Sequence, residues 1–259
     1  MTNVHTPRRF KFIGCNVLYR EACYLAATCA NTVDVEFLEK GLHDLETLEM
    51  AAHIQESVDT ADAAGTYEAI LLGYARCNDG LVGVTARTRP LVIPRAHDCI
   101  TLLFGSRQAY RTYFDENPGT YYETTGWLEH AESKEGELDT PAYGMNGVMK
   151  NLGLTDTYEQ LVEKHGKDNA DYILETLGGW EKAYRQLCYI EMGVAGDETP
   201  FIELARQRAE EKGWAFEQRK GDLGLLAKLF TGPWDEDVVV VQPGQSIRPR
   251  NDESVLDAE

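Results

Sequence analysis

The run AILLGY, residues 69–74, is a continuous apolar stretch of the length of a β-strand. Such a strand is typical of a parallel sheet that is buried on both faces, because helices cover each face. Three further short apolar runs surround it in the sequence. KFIGC (11–15) and VDVEFL (33–38) precede it, and LVIP (91–94) follows it. Four such runs within the first hundred residues predict neighbouring strands of one sheet.

Helical sequence separates these predicted strands. Residues 20–30 follow the first strand, and residues 43–60 follow the second with apolar side chains at three- and four-residue spacings. After the fourth strand, Asp98 is suited to cap a helix over residues 99–114. The alternation of strand and helix predicts an α/β fold with a doubly wound, mostly parallel sheet.

The 259 residues divide by composition into three predicted parts. Residues 1–116 form the α/β half that carries the four strands. Residues 117–186 form an irregular and then helical middle, with a short helix near Trp127, an aromatic side chain that could wall a pocket. Residues 187–259 return to alternating strand and helix and predict a smaller α/β half. Its polar end, residues 250–259, is expected to be frayed.

The chain is acidic, with 43 acidic and 25 basic residues and a formal net charge of -18. A surface of this sign repels the phosphates of nucleic acids and anionic lipids. No apolar run reaches the roughly 18–20 residues needed to span a membrane. The first residues also lack the apolar core of a secretory signal. The sequence therefore predicts a cytoplasmic protein that binds neither nucleic acid nor membrane.

Each of the four predicted strands is followed by a cysteine or a histidine. These residues are Cys15, His43, Cys77, His97 and Cys99. Because ligands bind beyond the carboxyl ends of the strands in parallel sheets, we expect the five side chains to meet at one rim. Cys99 would lie in the first turn of a helix, where the helix dipole and the unbonded amides lower the pKa of a thiol.

Thiolate and imidazole are the preferred ligands of zinc, and three thiolates can also hold an iron–sulfur cluster with one open iron. The pattern therefore predicts a metal site formed by Cys15, His43, Cys77 and Cys99, with Zn²⁺ favoured over a [4Fe-4S] cluster. Two other interpretations stay open: a metal-free thiol site, and cysteines that are simply packed in the core. The remaining cysteines are interpreted in this last way: Cys23, Cys29 and Cys188.

Three polar residues close to these ligands are candidates for catalysis. His97 and Asp98 could act as acid, as base or as hydrogen-bond partner of a ligand. Arg95 could hold an anionic substrate, with a surface arginine as the equally simple interpretation. The sequence does not decide whether His43 or His97 completes the metal site. Glycine-rich nucleotide loops, GxSxG and HExxH are all absent from the sequence.

Several segments resemble the uncharacterised family known as domain of unknown function 1638. The most specific of these segments is RAHDCITLLFGS (95–106). Three others also resemble the family: GLHDL (41–45), LLGYARCNDGLVGV (71–84) and GDLGLLAKLFTGPW (221–234). The resemblance extends over about residues 11–244 and implies that the family's motif positions include all five cysteines and histidines named above. It also implies a link to corrinoid-dependent methyl transfer, with a corrinoid protein or a methyltransferase as partner.

Three functions are expected on these grounds. The first is a metal-dependent enzyme, a transferase or lyase with zinc favoured, acting on a small-molecule substrate in one-carbon or methylamine metabolism. The second is an iron–sulfur protein whose open iron binds the substrate. The third is a metallochaperone or accessory binding protein that serves a methyltransferase. The substrate and the oligomeric state are not decided by the sequence.

Overall fold

The structure is a computed structural model that describes residues 6–40, 42, 47–77, 79–130, 162–163, 166–167 and 184–259. In these residues the strands are β1 Arg9–Cys15, β2 Thr32–Leu38, β3 Ala69–Gly73, β4 Leu91–Pro94, β5 Thr120–Glu123, β6 Gln186–Glu191, β7 Ala215–Lys220, β8 Val238–Val241, β9 Ile247–Pro249 and β10 Leu256–Ala258. The helices are α1 Tyr19–Thr28, α2 Thr47–Ala63, α3 Cys99–Leu103, α4 Arg107–Glu116, α5 Thr125–Glu129, α6 Thr199–Lys212 and α7 Gly224–Thr231, and a short 3-10 helix spans Asn16–Leu18. Within the described chain, no helix has the length and apolar character needed to cross a membrane.

The first sheet has five strands in the order β2-β1-β3-β4-β8. The first four run parallel, and β8 pairs with β4 in the antiparallel sense. Helices α1 and α2 cover opposite faces of this sheet. Leu25 of α1 shares a core cluster with Phe12, whereas Ile54 of α2 shares one with Ile13, the next residue of β1. The prediction of an α/β fold with a mostly parallel sheet is confirmed.

The second sheet is smaller and consists of β5, β6 and β7, all parallel. Helix α6 packs on it through Ala205 and Ala209, which share a cluster with the buried Tyr189. The other face joins the core of the first sheet, where Ile190 of β6 clusters with Phe12 of β1. The second sheet thus combines a strand of the middle part with strands of the last part, while β8 returns to the first sheet. The predicted division into three parts stays a prediction.

The single helix expected over residues 99–114 is wrong, because two helices occupy this stretch. Gly105 has a φ of 74°, a left-handed conformation that ends α3. Ser106 then caps α4 by accepting a hydrogen bond from the next turn. The expected cap of the first helix is confirmed, since the Asp98 side chain accepts from the Thr101 amide at 2.8 Å.

The middle part is more regular at its start than the sequence indicated. Strand β5 runs through a stretch that was expected to be irregular, and helix α5 follows it at once. Thr124 caps α5 by accepting a hydrogen bond from the Trp127 amide. Most of the helical stretch expected later in the middle part lies outside the described residues.

The expectation of a frayed carboxyl-terminal tail is wrong. Strands β9 and β10 pair as an antiparallel hairpin, and Val255 and Leu256 are fully buried in the core of the first sheet. The Arg95 guanidinium donates hydrogen bonds to the backbone carbonyls of Ser254, at 2.9 Å, and Leu256. Apolar burial and a bonded arginine together hold the tail against the sheet.

Candidate functional site

A cavity of about 180 Å³ lies at the carboxyl end of the first sheet. All four parallel strands contribute to its wall: Cys15 ends β1, Lys40 follows β2, Cys77 follows β3 and Cys99 follows β4. In the strand order, β1 stands between β2 and β3, where the chain switches from one face of the sheet to the other. Ligands of open α/β sheets bind at this switch point. The wall is mostly apolar.

Five of the residues predicted for the site line this cavity. They are Cys15, Cys77, His97, Asp98 and Cys99. None of the three thiols is in a disulfide; the charge of Cys15 raises the pKa of Cys77, and the charges of Cys77 and Cys15 raise the pKa of Cys99. Cys77 contacts the core clusters on both faces of the sheet, because it lies just beyond the carboxyl end of β3. The roles of these residues as ligands, acid or base stay predictions.

Two other predicted site residues do not enter this arrangement. His43 lies outside the described residues. Arg95 is not among the lining residues, and its guanidinium is bonded to the carboxyl-terminal hairpin instead. With both carbonyls bonded, Arg95 stabilises the carboxyl-terminal hairpin. The interpretation of Arg95 as the residue that binds an anionic substrate has no geometric support in the described chain.

Burial raises the pKa of each of the three thiols. The pKa of Cys15 is raised to about 11 and that of Cys77 to about 12. For Cys99, burial and then the charges of Cys77 and Asp98 raise the pKa well above its ordinary value. The expectation that a helix start lowers the pKa of Cys99 is wrong. Helix α3 has only five residues, so its dipole is too small to offset burial.

Two side chains oppose this effect without reversing it. The positive charge of Lys40 lowers the pKa of Cys15, and the Trp127 side chain lowers that of Cys99. The two residues also contact each other, with Lys40 Nζ 4.5 Å from the centre of the Trp127 ring. Both line the cavity, so the wall already contains groups that stabilise a thiolate.

The backbone around Cys77 is strained. Cys77 has a φ of 42° and Asp79 a φ of 63°, both in the left-handed region that side chains disfavour. The Cys77 amide donates to the His97 carbonyl at 3.1 Å, and Arg76 forms an ion pair with Asp79, so the turn is held from two sides. Strain of this kind costs about 1–3 kcal/mol for each residue and is typical of functional sites.

Among the residues of the wall that sequence reasoning missed are Lys40 and Tyr74. A lysine shortly after a strand is usually solvated, yet Lys40 is only 8% exposed. Nothing in the sequence signals this burial. Tyr74 did carry a signal, since it places a hydroxyl directly after the apolar strand β3. Trp127 was recognised as an aromatic residue that could wall a pocket, and it does line the cavity.

As the side chains are arranged, the described residues contain no group of three or more His, Cys, Asp or Glu that could hold a metal ion. The chemistry of the donor set does fit a thiophilic ion, because three thiols from three strand ends reach one cavity. A shared ion would require the thiols to turn from their present positions.

The fold and the cavity define a doubly wound α/β protein with three thiols at the switch point of its main sheet. The chain belongs to the family described as Protein of unknown function (DUF1638), whose model matches residues 37–230. The matched range includes Cys77, Cys99 and Trp127, whereas Cys15 precedes it. The resemblance that the sequence segments indicated is confirmed. No curated protein and no solved structure matches the chain.

Proposed function

We propose that the chain binds a thiophilic metal ion, with zinc favoured, and uses it to act on a small substrate in the cavity. One observation carries this proposal: thiols at the ends of three adjacent parallel strands, β1, β3 and β4, line one cavity. Three protein ligands with an exchangeable fourth position form the pattern of a catalytic zinc site. In the proposed site Cys15, Cys77 and Cys99 are the ligands.

The surroundings of the thiols support a role for positive charge. With pKa values raised by burial, the three thiols are protonated at neutral pH unless a cation compensates. A zinc ion supplies that charge and deprotonates the thiols that bind it. Lys40 and the Trp127 indole add to this stabilisation at Cys15 and Cys99. The apolar wall keeps water away and thereby strengthens each of these interactions.

For the reaction we propose transfer of a methyl or other small alkyl group, in keeping with the link to corrinoid-dependent methyl transfer that the family resemblance implies. A thiolate sulfur would form a bond to the alkyl carbon of a small methylated amine. The bond from that carbon to nitrogen would break, and its electron pair would stay with the leaving amine. His97 and Asp98 line the same space and are the candidates for moving the proton.

Metal content after purification tests the metal half of the proposal. We expect one equivalent of zinc in the wild-type protein and loss of most of it in Cys77→Ser and Cys99→Ser. Cys23→Ser is the matched control, because Cys23 lies in α1 and is not among the lining residues. In cobalt-substituted protein, the thiolate-to-cobalt absorption should fall in the two site variants alone. Unchanged metal in both site variants would refute a shared site.

A second candidate is an iron–sulfur cluster with an open iron that binds substrate. It is favoured by the three thiols of the cavity, since three cysteines leave one iron of a four-iron cluster without a protein ligand. Anaerobic purification distinguishes the two candidates. A brown protein with equal amounts of iron and acid-labile sulfide supports the cluster, and a colourless protein with zinc supports the first proposal. A metallochaperone or accessory binding protein for a methyltransferase stays a third prediction.

A further inference from the structure

Tyr74 carries a hydroxyl that is buried at the cavity without a hydrogen-bond partner. The residue follows β3 directly, is 3% exposed and lines the cavity. Within the described part of the chain its oxygen bonds to no other group. Tyr74 lines the same cavity as Cys15 and Cys77, and the charges of Cys15, Cys77 and Glu36 all act on its hydroxyl.

Buried polar groups are nearly always hydrogen-bonded, because an unpaired one loses its water without replacement. The penalty amounts to roughly tenfold or more in an equilibrium constant. The apolar wall of the cavity provides no compensation near Tyr74. A ligand that places an acceptor atom against the hydroxyl would recover this penalty on binding.

We infer that Tyr74 determines the specificity of the cavity by donating a hydrogen bond to an acceptor atom of a small, mostly apolar ligand. This inference rests on the proposed function, because it names the class of substrate for the same site. A cavity of about 180 Å³ accommodates a ligand of about six heavy atoms, comparable to benzene in a cavity of roughly 150 Å³. The acceptor would be an oxygen or an unprotonated amine nitrogen of that ligand, in the cavity that Tyr74 lines together with Cys15 and Cys77.

Tyr122 provides a matched control for the hydroxyl itself. Its oxygen is also buried and without a partner among the described residues, and the residue is 4% exposed. It packs instead among the aromatic rings of Phe104, Tyr110 and Tyr113 and does not line the cavity. Replacing either tyrosine by phenylalanine removes one unpaired hydroxyl and no bonded partner, so both variants should fold.

Two probes of nearly equal shape test the inference: cyclopentanone, which carries an acceptor oxygen, and methylenecyclopentane, which carries a CH₂ group in its place. Amide NMR titrations of the purified protein give both affinities and locate the site through the resonances of Cys15 and Cys77. We expect wild-type protein and Tyr122→Phe to bind cyclopentanone about tenfold more tightly. In Tyr74→Phe this preference should be lost or reversed, because the ketone oxygen then loses its water without a replacement.

The inference is overturned if Tyr74→Phe keeps the wild-type preference, or if neither probe shifts the amides around the cavity. Metal content measured on the same samples separates this outcome from failure of the proposed function. If Tyr74→Phe loses the preference for cyclopentanone while Cys77→Ser keeps its metal, the ligand inference stands and the metal site is refuted. If Cys77→Ser loses its metal while wild-type protein shows no preference for cyclopentanone, the metal site stands and the ligand inference is refuted.

Discussion

Gly126 lies so close to Val17 that a Cβ added to it would overlap the Val17 carbonyl oxygen. Val17 belongs to the 3-10 helix after Cys15, and the residue after Gly126 is Trp127. The contact therefore joins two walls of the cavity through backbone alone. Only glycine permits this approach, and the position of the Trp127 indole beside Cys99 depends on it.

The first prediction concerns Gly126→Ala. In an unobstructed helix this change stabilises by up to about 1 kcal/mol, because alanine has the higher helix propensity. Here the overlap with Val17 should lower the free energy of unfolding by about 1–3 kcal/mol. Urea unfolding followed by tryptophan fluorescence measures the change in the free energy of unfolding. The sign of this change is sufficient to test the prediction. A stabilised variant would show that α5 does not rest on Val17.

Convergence of the thiols was predictable from sequence because it follows from topology. Once β1, β3 and β4 are parallel neighbours, the residues after them must meet at one edge. That argument needs only strand identity, which the apolar runs provide. It placed Cys15, Cys77 and Cys99 at one cavity without knowledge of a single side-chain contact.

The parts that sequence could not predict depend on contacts between residues far apart in the chain. Arg95 bonds to a carbonyl 161 residues away, so nothing near it in sequence reveals that its guanidinium is bound. The pKa of Cys99 follows from burial by distant elements, which outweighs the local effect of a helix start. Lys40, which follows β2, is buried against Trp127, which comes from helix α5. In each case tertiary packing overrides a local rule.

The second prediction concerns the charge of Lys40. Because this charge lowers the pKa of Cys15, Lys40→Met should raise the pKa of the thiol further and slow its alkylation severalfold at pH 8. The methionine keeps the apolar contact with Trp127. Iodoacetamide labelling of chelator-treated protein, read by mass spectrometry, gives the rate, since the tryptic peptide 12–20 contains Cys15 as its single cysteine.

Lys11→Met is the control for this experiment. Lys11 lies in the same strand as Cys15, but its charge is paired with Glu36 at 2.8 Å and does not act on the thiol. Its replacement should leave the labelling rate of Cys15 unchanged. Equal rates in Lys40→Met and wild-type protein would show that the ammonium does not influence the thiol.

The third prediction assigns Arg95 to the hairpin. Arg95→Met leaves the carbonyls of Ser254 and Leu256 without their donor and should destabilise the fold by about 1–3 kcal/mol. Hydrogen exchange in residues 247–258 should accelerate. Arg87→Met is a suitable control, since Arg87 is exposed and its ion pair with Asp59 should contribute less than about 1 kcal/mol. Normal exchange in the Arg95 variant would return Arg95 to the candidates for substrate binding.

The fourth prediction concerns a buried carboxyl in α1. Glu21 is 2% exposed, and within the described residues one of its carboxyl oxygens has no hydrogen-bond partner. Burial and then the charge of Glu198 raise the pKa of Glu21 from 4.5 to about 7. Glu198 is itself buried, but it accepts hydrogen bonds from Thr125, Tyr189 and the Gly193 amide. For Glu21, burial favours the protonated form of the carboxyl.

A raised carboxyl pKa makes the folded state bind the proton more tightly than the unfolded chain does. The contribution of the protonated Glu21 carboxyl to the stability of the fold is complete below pH 4.5, declines as the pH rises through about 7 and is absent above that. The loss should be on the order of 3 kcal/mol. Denaturant unfolding at pH 5 and pH 8 gives the decline in the free energy of unfolding between these two pH values. Wild-type protein and Glu49→Gln, a control at an exposed position, should show the same decline. In Glu21→Gln the decline should be smaller by this amount. Parallel declines in all three proteins would mean that Glu21 is ionised in the fold.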